Sequence, residues 1–181
     1  MKIEFQQVSK KIYSNIALSQ VSFKLPELGL TAFLGDYGSG KSTIFSLITG
    51  KMKPDSGKIL IDGKNIVWKN DMQAYQSGIG IIPYNFHLFS GLSLKENLEL
   101  SPKTSQLHPK EKVINNFKTL MESSNFIFDL EILAEDISPE QKFLFEVLRL
   151  AAAGCKTILL DEPMDQLARE DRVLLLKKLK S

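Results

Sequence analysis

A glycine-rich segment in the first quarter of the chain restricts the possible folds more than any other feature. The letters G-D-Y-G-S-G-K-S at residues 35–42 match G-x-x-x-x-G-K-[ST], in which glycines let the backbone curl around a phosphate. An apolar run at residues 31–34 precedes the segment, and residues 44–48 after it are helix-forming. A strand, a tight loop and a helix in this order direct backbone N–H groups and the positive helix end at one anion. We therefore predict that residues 35–42, the phosphate loop, bind phosphate.

The residues of the phosphate loop have distinct expected roles. The loop N–H groups are expected to contact phosphate oxygens, the Lys41 ammonium to reach the outer phosphates, and the Ser42 hydroxyl to ligate Mg²⁺. The alternative is an ordinary glycine-rich turn. The predicted nucleotide-binding residues here are Gly35, Asp36, Tyr37, Gly38, Ser39, Gly40, Lys41, Ser42 and Thr43.

A second candidate site follows the apolar run T-I-L-L at residues 157–160. A continuous apolar run suits a strand that is buried on both faces of a parallel sheet, and such sheets bind ligands at the carboxyl ends of their strands. Asp161 at this end is expected to hold Mg²⁺ through water, and Glu162 to polarise an attacking water. The pattern is common by itself, and only its combination with the phosphate loop makes it informative.

Strand-like and helix-like segments alternate along the chain, which predicts an α/β fold with an inserted helical lobe. We expect strands at residues 1–5, 21–25, 31–34, 58–61 and 157–160, and further helices at 92–100, 109–121, 140–150 and 169–179.

Composition excludes several classes of protein. The chain has 181 residues, which is enough for one domain, and its 23 basic and 21 acidic residues leave a net charge of +2, so nothing indicates a nucleic-acid partner. The single cysteine, Cys155, excludes an internal disulfide or a multi-thiolate zinc site and suggests plain packing. No apolar run is long enough for a membrane span and no signal peptide is visible, so we expect a cytosolic protein.

Taken together, these segments resemble the ATP-binding cassette (ABC) family, the ATPase subunits of transporters. The likeness covers nearly the whole chain. Besides the phosphate loop it includes residues 17–23, P-D-S-G at 54–57, I-D-G-K at 61–64, L-S-L-K-E-N-L at 92–98 and L-L-D-E-P at 159–163. Phe86, residues 146–148, Leu167 and Glu170 resemble the sugar and nucleoside importer branch.

The resemblance implies a P-loop NTPase core with a mostly parallel sheet, antiparallel strands near the N-terminus and an inserted helical subdomain. In a single domain spanning residues 1–181, the core is expected at about 1–84 and 155–181, and the helical subdomain at about 85–154. The family histidine that senses the γ-phosphate follows a later helix and strand, whereas this chain ends at Ser181 and its two histidines lie upstream. We therefore expect a truncated or split cassette that lacks a central strand.

The resemblance also assigns roles outside the phosphate loop. Tyr13 matches the aromatic residue that stacks on adenine, and the alternative is a core or edge tyrosine. The family glutamine that contacts Mg²⁺ and reports to the membrane subunit falls on Tyr84 or Asn85. Since a phenol lacks the amide's combination of carbonyl and N–H groups, metal contact and coupling are expected to be altered.

The family signature, Leu-Ser-Gly-Gly-Gln, falls on I-S-P-E-Q at residues 137–141. Ser138 and Gln141 form the ends of a predicted capping box with Pro139 at the first helical position. Pro139 removes one N–H, and Glu140 adds a negative charge where a partner's γ-phosphate should dock. We expect this degenerate signature to stabilise a partner's ATP poorly.

The implied function is that of an ATP-binding subunit of an ABC transporter, with ATP and Mg²⁺ as cofactors. Such a subunit couples ATP hydrolysis, with Glu162 as catalytic residue, to solute import through separate transmembrane permease subunits. It pairs with a second nucleotide-binding domain and lies on the cytoplasmic face of the membrane as a peripheral protein. One alternative is a degenerate subunit that binds ATP with little or no hydrolysis and pairs with an intact homologue. Another is a cassette ATPase of translation or DNA repair.

Overall fold

The computed structural model describes residues 1–100, 110–124 and 126–162. The chain divides after Ser77 into two units, and each is described here by itself. The predicted helix at 169–179 and the importer-type residues Leu167 and Glu170 lie outside the described residues.

A twisted antiparallel sheet forms the first unit, in the order β2-β1-β3-β4. Its strands are β1 (Ile3–Ile12), β2 (Asn15–Lys24), β3 (Ser56–Ile61) and β4 (Lys64–Asn65), and its helices are α1 (Lys41–Ile48) and α2 (Asp71–Gln76). The hairpin of β1 and β2 is much longer than the strands predicted at residues 1–5 and 21–25. Gln7 and Gln20 have positive φ, and the β1–β2 register shifts at several points along the hairpin. Bulges of this kind disturb the alternation of polar and apolar residues that identifies a strand in the sequence.

Four aromatic rings connect the sheet to α1. The Phe5 and Phe23 rings stack with centroids 4.5 Å apart, and Phe33 then meets Phe23 and Phe45 edge to face at 5.5 and 5.8 Å. Phe45 lies on α1, whereas Phe5 and Phe23 lie on β1 and β2. Offset and edge-to-face pairs of this kind are favourable, so the rings fix the helix against the hairpin.

The predicted strand at residues 31–34 is wrong. These residues form no strand, and the part of the chain that the structure describes offers them no ladder partner. Phe33 joins the ring stack, whereas the Leu34 side chain is 92% exposed. An apolar run becomes a strand only when a neighbouring backbone pairs with it, and composition cannot supply that neighbour.

Besides the ring stack, a close backbone approach joins β2 to the start of α1. Gly40, the N-cap of α1, has φ of +93°, and a Cβ at this position would lie 2.8 Å from the Ala17 carbonyl oxygen and 2.8 Å from a Leu18 methyl carbon. Only glycine combines this dihedral angle with this distance. The helix therefore begins directly against the backbone of the hairpin.

The described part of the second unit contains a parallel strand pair and three helices. Strands β5 (Ile79–Ile82) and β6 (Thr157–Leu160) pair in register from Ile79 with Thr157 to Ile82 with Leu160. The helices are α3 (Leu94–Glu99), α4 (Lys110–Ser123) and α5 (Pro139–Ala152), so the helices predicted at 92–100, 109–121 and 140–150 are confirmed with shifted ends. The described residues contain one parallel pair, and the mostly parallel sheet, the inserted subdomain and the proposed domain bounds stay predictions.

Helix α5 is the buried centre of the second unit. Its Phe145 ring meets Phe117 of α4 at 5.2 Å and Phe128 at 5.9 Å. Toward the strands, a Cβ on Gly80 would lie only 2.9 Å from the Leu150 side chain and 3.1 Å from the Cys155 sulfur. Burial raises the pKa of the Cys155 thiol to about 11, in agreement with the predicted packing role.

An ion pair lies inside this helix. The Arg149 guanidinium donates to both carboxylate oxygens of Glu146, at 3.1 and 2.7 Å, and the Glu146 side chain is fully buried. A bidentate pair satisfies charges that would otherwise be costly to bury. The pair thus matches both buried charges within one helix. No described helix is long and apolar enough to span a membrane.

We expect Gly40→Ala to destabilise the chain by about 2–4 kcal/mol, because strain at positive φ adds to the overlap with Ala17. Gly63 in the β3–β4 turn is the matched control, since its φ is +79° but a Cβ there would meet nothing within 4 Å. Gly63→Ala should therefore cost only about 1–2 kcal/mol. Urea unfolding measures both free energies, and equal losses would show that the close approach contributes nothing.

We expect Arg149→Ala to lower the free energy of unfolding by about 3–5 kcal/mol, because it leaves the buried Glu146 carboxylate unpaired. Replacing both residues by apolar ones, as Glu146→Leu with Arg149→Met, should recover most of this loss. The control is Lys95→Ala, which breaks the exposed 3.3 Å pair with Glu131 and should change stability by less than about 1 kcal/mol. A larger loss in the double variant than in Arg149→Ala would contradict this explanation.

Candidate nucleotide-binding site

The phosphate loop folds as a tight turn at the start of α1. The Ser39 N–H donates to the Asp36 carbonyl at 3.1 Å, and Gly38 and Gly40 both have left-handed φ, +81° and +93°. Gly35 lies close to Ser39, whose hydroxyl oxygen would be 2.6 Å from a Cβ at residue 35. The predicted glycine positions are therefore those at which the backbone needs glycine.

The Lys41 side chain folds back over the loop that precedes it. Its ammonium donates to the carbonyl oxygens of Gly35 at 2.7 Å and Asp36 at 2.9 Å, and to the Ser39 hydroxyl at 3.4 Å. Lys41 is also the first residue of α1, whose first turn contains no acidic residue. A positive charge and the positive end of a helix thus lie together, and nothing acidic in that turn opposes an anion.

The remaining residues of the loop region face mostly outward. Asp36, Tyr37, Ser39 and Ser42 are exposed, whereas Thr43 is buried under the first turn of α1. Ser42 follows Lys41 on this turn and is exposed beside the loop. A hydroxyl oxygen is the type of ligand that Mg²⁺ accepts.

Tyr13 lies at the turn of the β1–β2 hairpin. It has φ of +54° and is fully exposed, which excludes a core tyrosine and leaves an edge tyrosine as the alternative. The same hairpin reaches the phosphate loop, because Ala17 and Leu18 of β2 contact Gly40. Sequence reasoning missed this contact, since no spacing in the sequence indicates that β2 and the loop are neighbours.

In the second unit, β5 and β6 end at one edge of the parallel pair. The Asp161 N–H donates to the Ile82 carbonyl at 3.0 Å, which extends the pairing to the acidic residue. Asp161 is half-buried, and Glu162 is exposed with φ of +55°, unusual for a residue with a side chain. Tyr84 follows β5 at the same edge and is half-exposed. The described residues include no cluster of three His, Cys, Asp or Glu side chains that would hold a metal by itself.

The degenerate signature begins α5 as predicted. The Ser138 hydroxyl accepts from the Gln141 N–H at 3.2 Å, and the Gln141 side chain accepts from the Ser138 N–H at 2.9 Å, with Pro139 in the first turn. The Ser138 hydroxyl also donates to the Glu140 carboxylate at 3.3 Å. The capping box is therefore confirmed, and the contact of this segment with a partner's ATP stays a prediction.

Comparison with known proteins finds a matching family model, similar curated proteins and similar solved structures. Residues 18–165 match the family model described as ABC transporter. The ribose import ATP-binding protein RbsA of Bacillus licheniformis is 34% identical over 175 residues, which cover 94% of this chain and 35% of that protein. The arabinose import ATP-binding protein AraG of Mannheimia succiniciproducens is 28% identical, over 92% of this chain and 34% of that protein. The chain thus spans about a third of the length of these curated relatives.

Solved structures have the same fold. An ATP-binding cassette of an ABC transporter, MJ1267 in its ADP conformation, matches with a TM-score of 0.84 and 25% identity over 99% of this chain and 77% of that chain. The protein cbiO1 from Clostridium perfringens, part of the ABC transporter complex cbiONQ, matches with a TM-score of 0.83 and 24% identity, covering 98% and 71%. These likenesses confirm the mixed α/β, P-loop NTPase fold. Because the family model covers most of its length, the chain belongs to the ABC transporter family.

Proposed function

We propose that this chain is the ATP-binding domain of an ABC importer for a sugar-like solute. It binds Mg–ATP and couples hydrolysis of ATP to uptake through separate transmembrane permease subunits. The observation that carries the proposal is the phosphate loop, where the Lys41 ammonium bridges the Gly35 and Asp36 carbonyls at the start of α1. The ammonium lies beside the loop backbone and at the positive end of α1, so we expect it to attract an incoming phosphate.

The residues of the first unit act by holding charge. The left-handed glycines let the loop backbone approach phosphate oxygens, and the start of α1 adds its partial positive charge. Lys41 then contacts the outer phosphates. Tyr13, exposed on the hairpin that touches the loop, stacks on the adenine ring. Phosphate binding is thus assigned to one contiguous segment, and base binding to a separate strand turn.

Residues at the end of β6 act on the reacting atoms. Glu162 accepts a hydrogen bond from water and directs its oxygen at the terminal phosphate, and its strained φ of +55° supports a functional role. The Ser42 hydroxyl is an oxygen donor of the kind that holds Mg²⁺, and the Asp161 carboxylate is another. When bound, Mg²⁺ supplies positive charge to the phosphates.

The names of the relatives support the assignment to import. The similar proteins from Bacillus licheniformis and Mannheimia succiniciproducens are named for ribose and arabinose import, and cbiO1 is described as part of a transporter complex. We assign a peripheral position on the cytoplasmic face of the membrane. There the exposed Tyr84 and Phe89 of the second unit are candidates for contact with a permease subunit. The start of α5, with Ser138 and Gln141, is the candidate contact with the ATP of a second nucleotide-binding domain.

We expect Lys41→Ala to weaken Mg–ATP binding by about 10- to 100-fold, because charge-assisted hydrogen bonds contribute roughly 1.5–3 kcal/mol each. Titration calorimetry measures the dissociation constant. The matched control is Lys58→Ala, which removes an exposed lysine from β3 in the same unit and should leave binding unchanged. Similar affinities for Lys41→Ala and the unaltered chain would contradict phosphate binding at this loop.

We expect Glu162→Gln to leave the affinity for Mg–ATP within about threefold and to lower steady-state turnover by about 10²- to 10⁴-fold, the usual contribution of a general base. Phosphate release measures turnover, and Glu135→Gln, an exposed glutamate between α4 and α5, is the control. Tight binding with turnover that Glu162→Gln does not change would contradict hydrolysis at this site and favour a domain that only binds ATP.

A further inference from the structure

The Asp55 side chain binds β1 at the point where the pairing of β1 with β3 ends. One carboxylate oxygen accepts from the Lys10 ammonium at 2.8 Å, and the other accepts from the Lys11 N–H at 2.7 Å. The Asp55 N–H in turn donates to the Ser9 carbonyl at 3.0 Å. One residue thus binds three consecutive residues of β1, through backbone and side chain.

This position is the last support of the hairpin on the β3 side. Pairing of β1 with β3 ends at Ser9 with Ser56, whereas β1 continues to Ile12 paired with β2 alone. The β1–β2 register also shifts on both sides of Lys10, so the strand bends here. A two-stranded ribbon is marginally stable by itself and free to twist, and Tyr13 lies at its end. Asp55 therefore fixes the base of the ribbon that carries Tyr13.

The opposite strand of the ribbon is fixed by the phosphate loop. Ala17 and Leu18 of β2 lie against Gly40, which begins α1. The ribbon is therefore held at two places, by Gly40 on its β2 strand and by Asp55 on its β1 strand. Loss of either contact allows the ribbon to rotate about the remaining contact. Such a rotation moves the tip of the ribbon, where Tyr13 lies, more than its base.

We propose that Asp55 is a positioning residue for the nucleotide base, because it sets where Tyr13 stands relative to the phosphate loop. This inference rests on the proposed function, in which the loop binds ATP and Tyr13 stacks on adenine. Asp55 contacts neither the phosphates nor the base. Its loss should therefore weaken the part of the affinity that comes from the base and leave the part that comes from the phosphates.

The bonds of Asp55 with Lys10 and Lys11 do not depend on pH in the range of the test, because the Asp55 carboxyl stays ionised. The hydrogen bond from the Lys10 ammonium, together with the one from the Lys11 N–H, holds the pKa of the Asp55 carboxyl below its ordinary value. The side chain is thus ionised at every pH at which the nucleotide would be tested. Lys10, half-buried on β1, supplies the opposite charge.

The test compares Mg–ATP with inorganic tripolyphosphate, which has the phosphates without the base. We expect Asp55→Ala to weaken ATP binding about fivefold to tenfold, as removal of an aromatic stack would, and to leave tripolyphosphate binding within about twofold. Tyr13→Ala should give a similar loss, and the double variant should show little further loss, because both changes act on one interaction. Asp55→Asn keeps an acceptor for the Lys11 N–H, so its loss of ATP affinity should be smaller than that of Asp55→Ala.

Asp62→Ala is the matched control. Asp62 also accepts a backbone N–H, from Lys2 at 2.7 Å, but Lys2 lies just before β1, at the opposite end of the strand from Tyr13. It should change neither affinity. Equal losses for ATP and tripolyphosphate in Asp55→Ala and Asp55→Asn would overturn the proposal, because they would show a general structural role. Unchanged ATP affinity in both would overturn it as well. If the unaltered chain binds neither compound, the proposed function itself fails, a result distinct from the other two.

Discussion

The close approach of Gly40 to the Ala17 carbonyl is the constraint on which the first unit depends. It joins the hairpin, the phosphate loop and α1 at one point, where a single carbon atom more would overlap the strand. The ring stack from Phe5 to Phe45 holds the same elements on the apolar side. Aromatic packing tolerates small shifts of a ring, whereas a backbone contact without side chains does not. The position of the loop is thus set by its own backbone, and the rings provide stability.

Lysine and arginine serve opposite purposes in the two units. The half-buried Lys41 donates to the carbonyl oxygens of Gly35 and Asp36 at the start of α1, whose first turn contains no acidic residue, so its charge lies at the positive end of a helix. The Arg149 guanidinium is buried and donates to both oxygens of Glu146, so its charge is matched within α5. A charge at the positive end of a helix is suited to binding an anion, and a buried charge with a matched partner is suited to holding one conformation.

Local chemistry was predictable from the sequence, and long-range pairing was not. The tight turn of the phosphate loop and the capping box of α5 involve residues within a few positions of one another, so the sequence indicated both, whereas phosphate binding at the loop stays a prediction. The strand at residues 31–34 failed because a strand needs a neighbour that the run itself does not specify. The extent of the hairpin was missed because Gln7 and Gln20, at positive φ, interrupt the polar and apolar alternation. In the sequence Asp55 was only one letter of P-D-S-G at residues 54–57, because its bonds to Lys10 and Lys11 depend on the fold.

This division between local and long-range structure also separates the two parts of nucleotide recognition. The residues that we propose to contact phosphate are contiguous, so one short loop and the helix after it carry them. A base-stacking residue has to reach the same ligand from another strand, so the place of the proposed Tyr13 depends on distant contacts such as those of Gly40 and Asp55. In the proposed function, changes elsewhere in the sheet therefore alter the preference for a base while phosphate binding persists. The proposal thus assigns affinity for the triphosphate and selectivity for adenine to different parts of the chain.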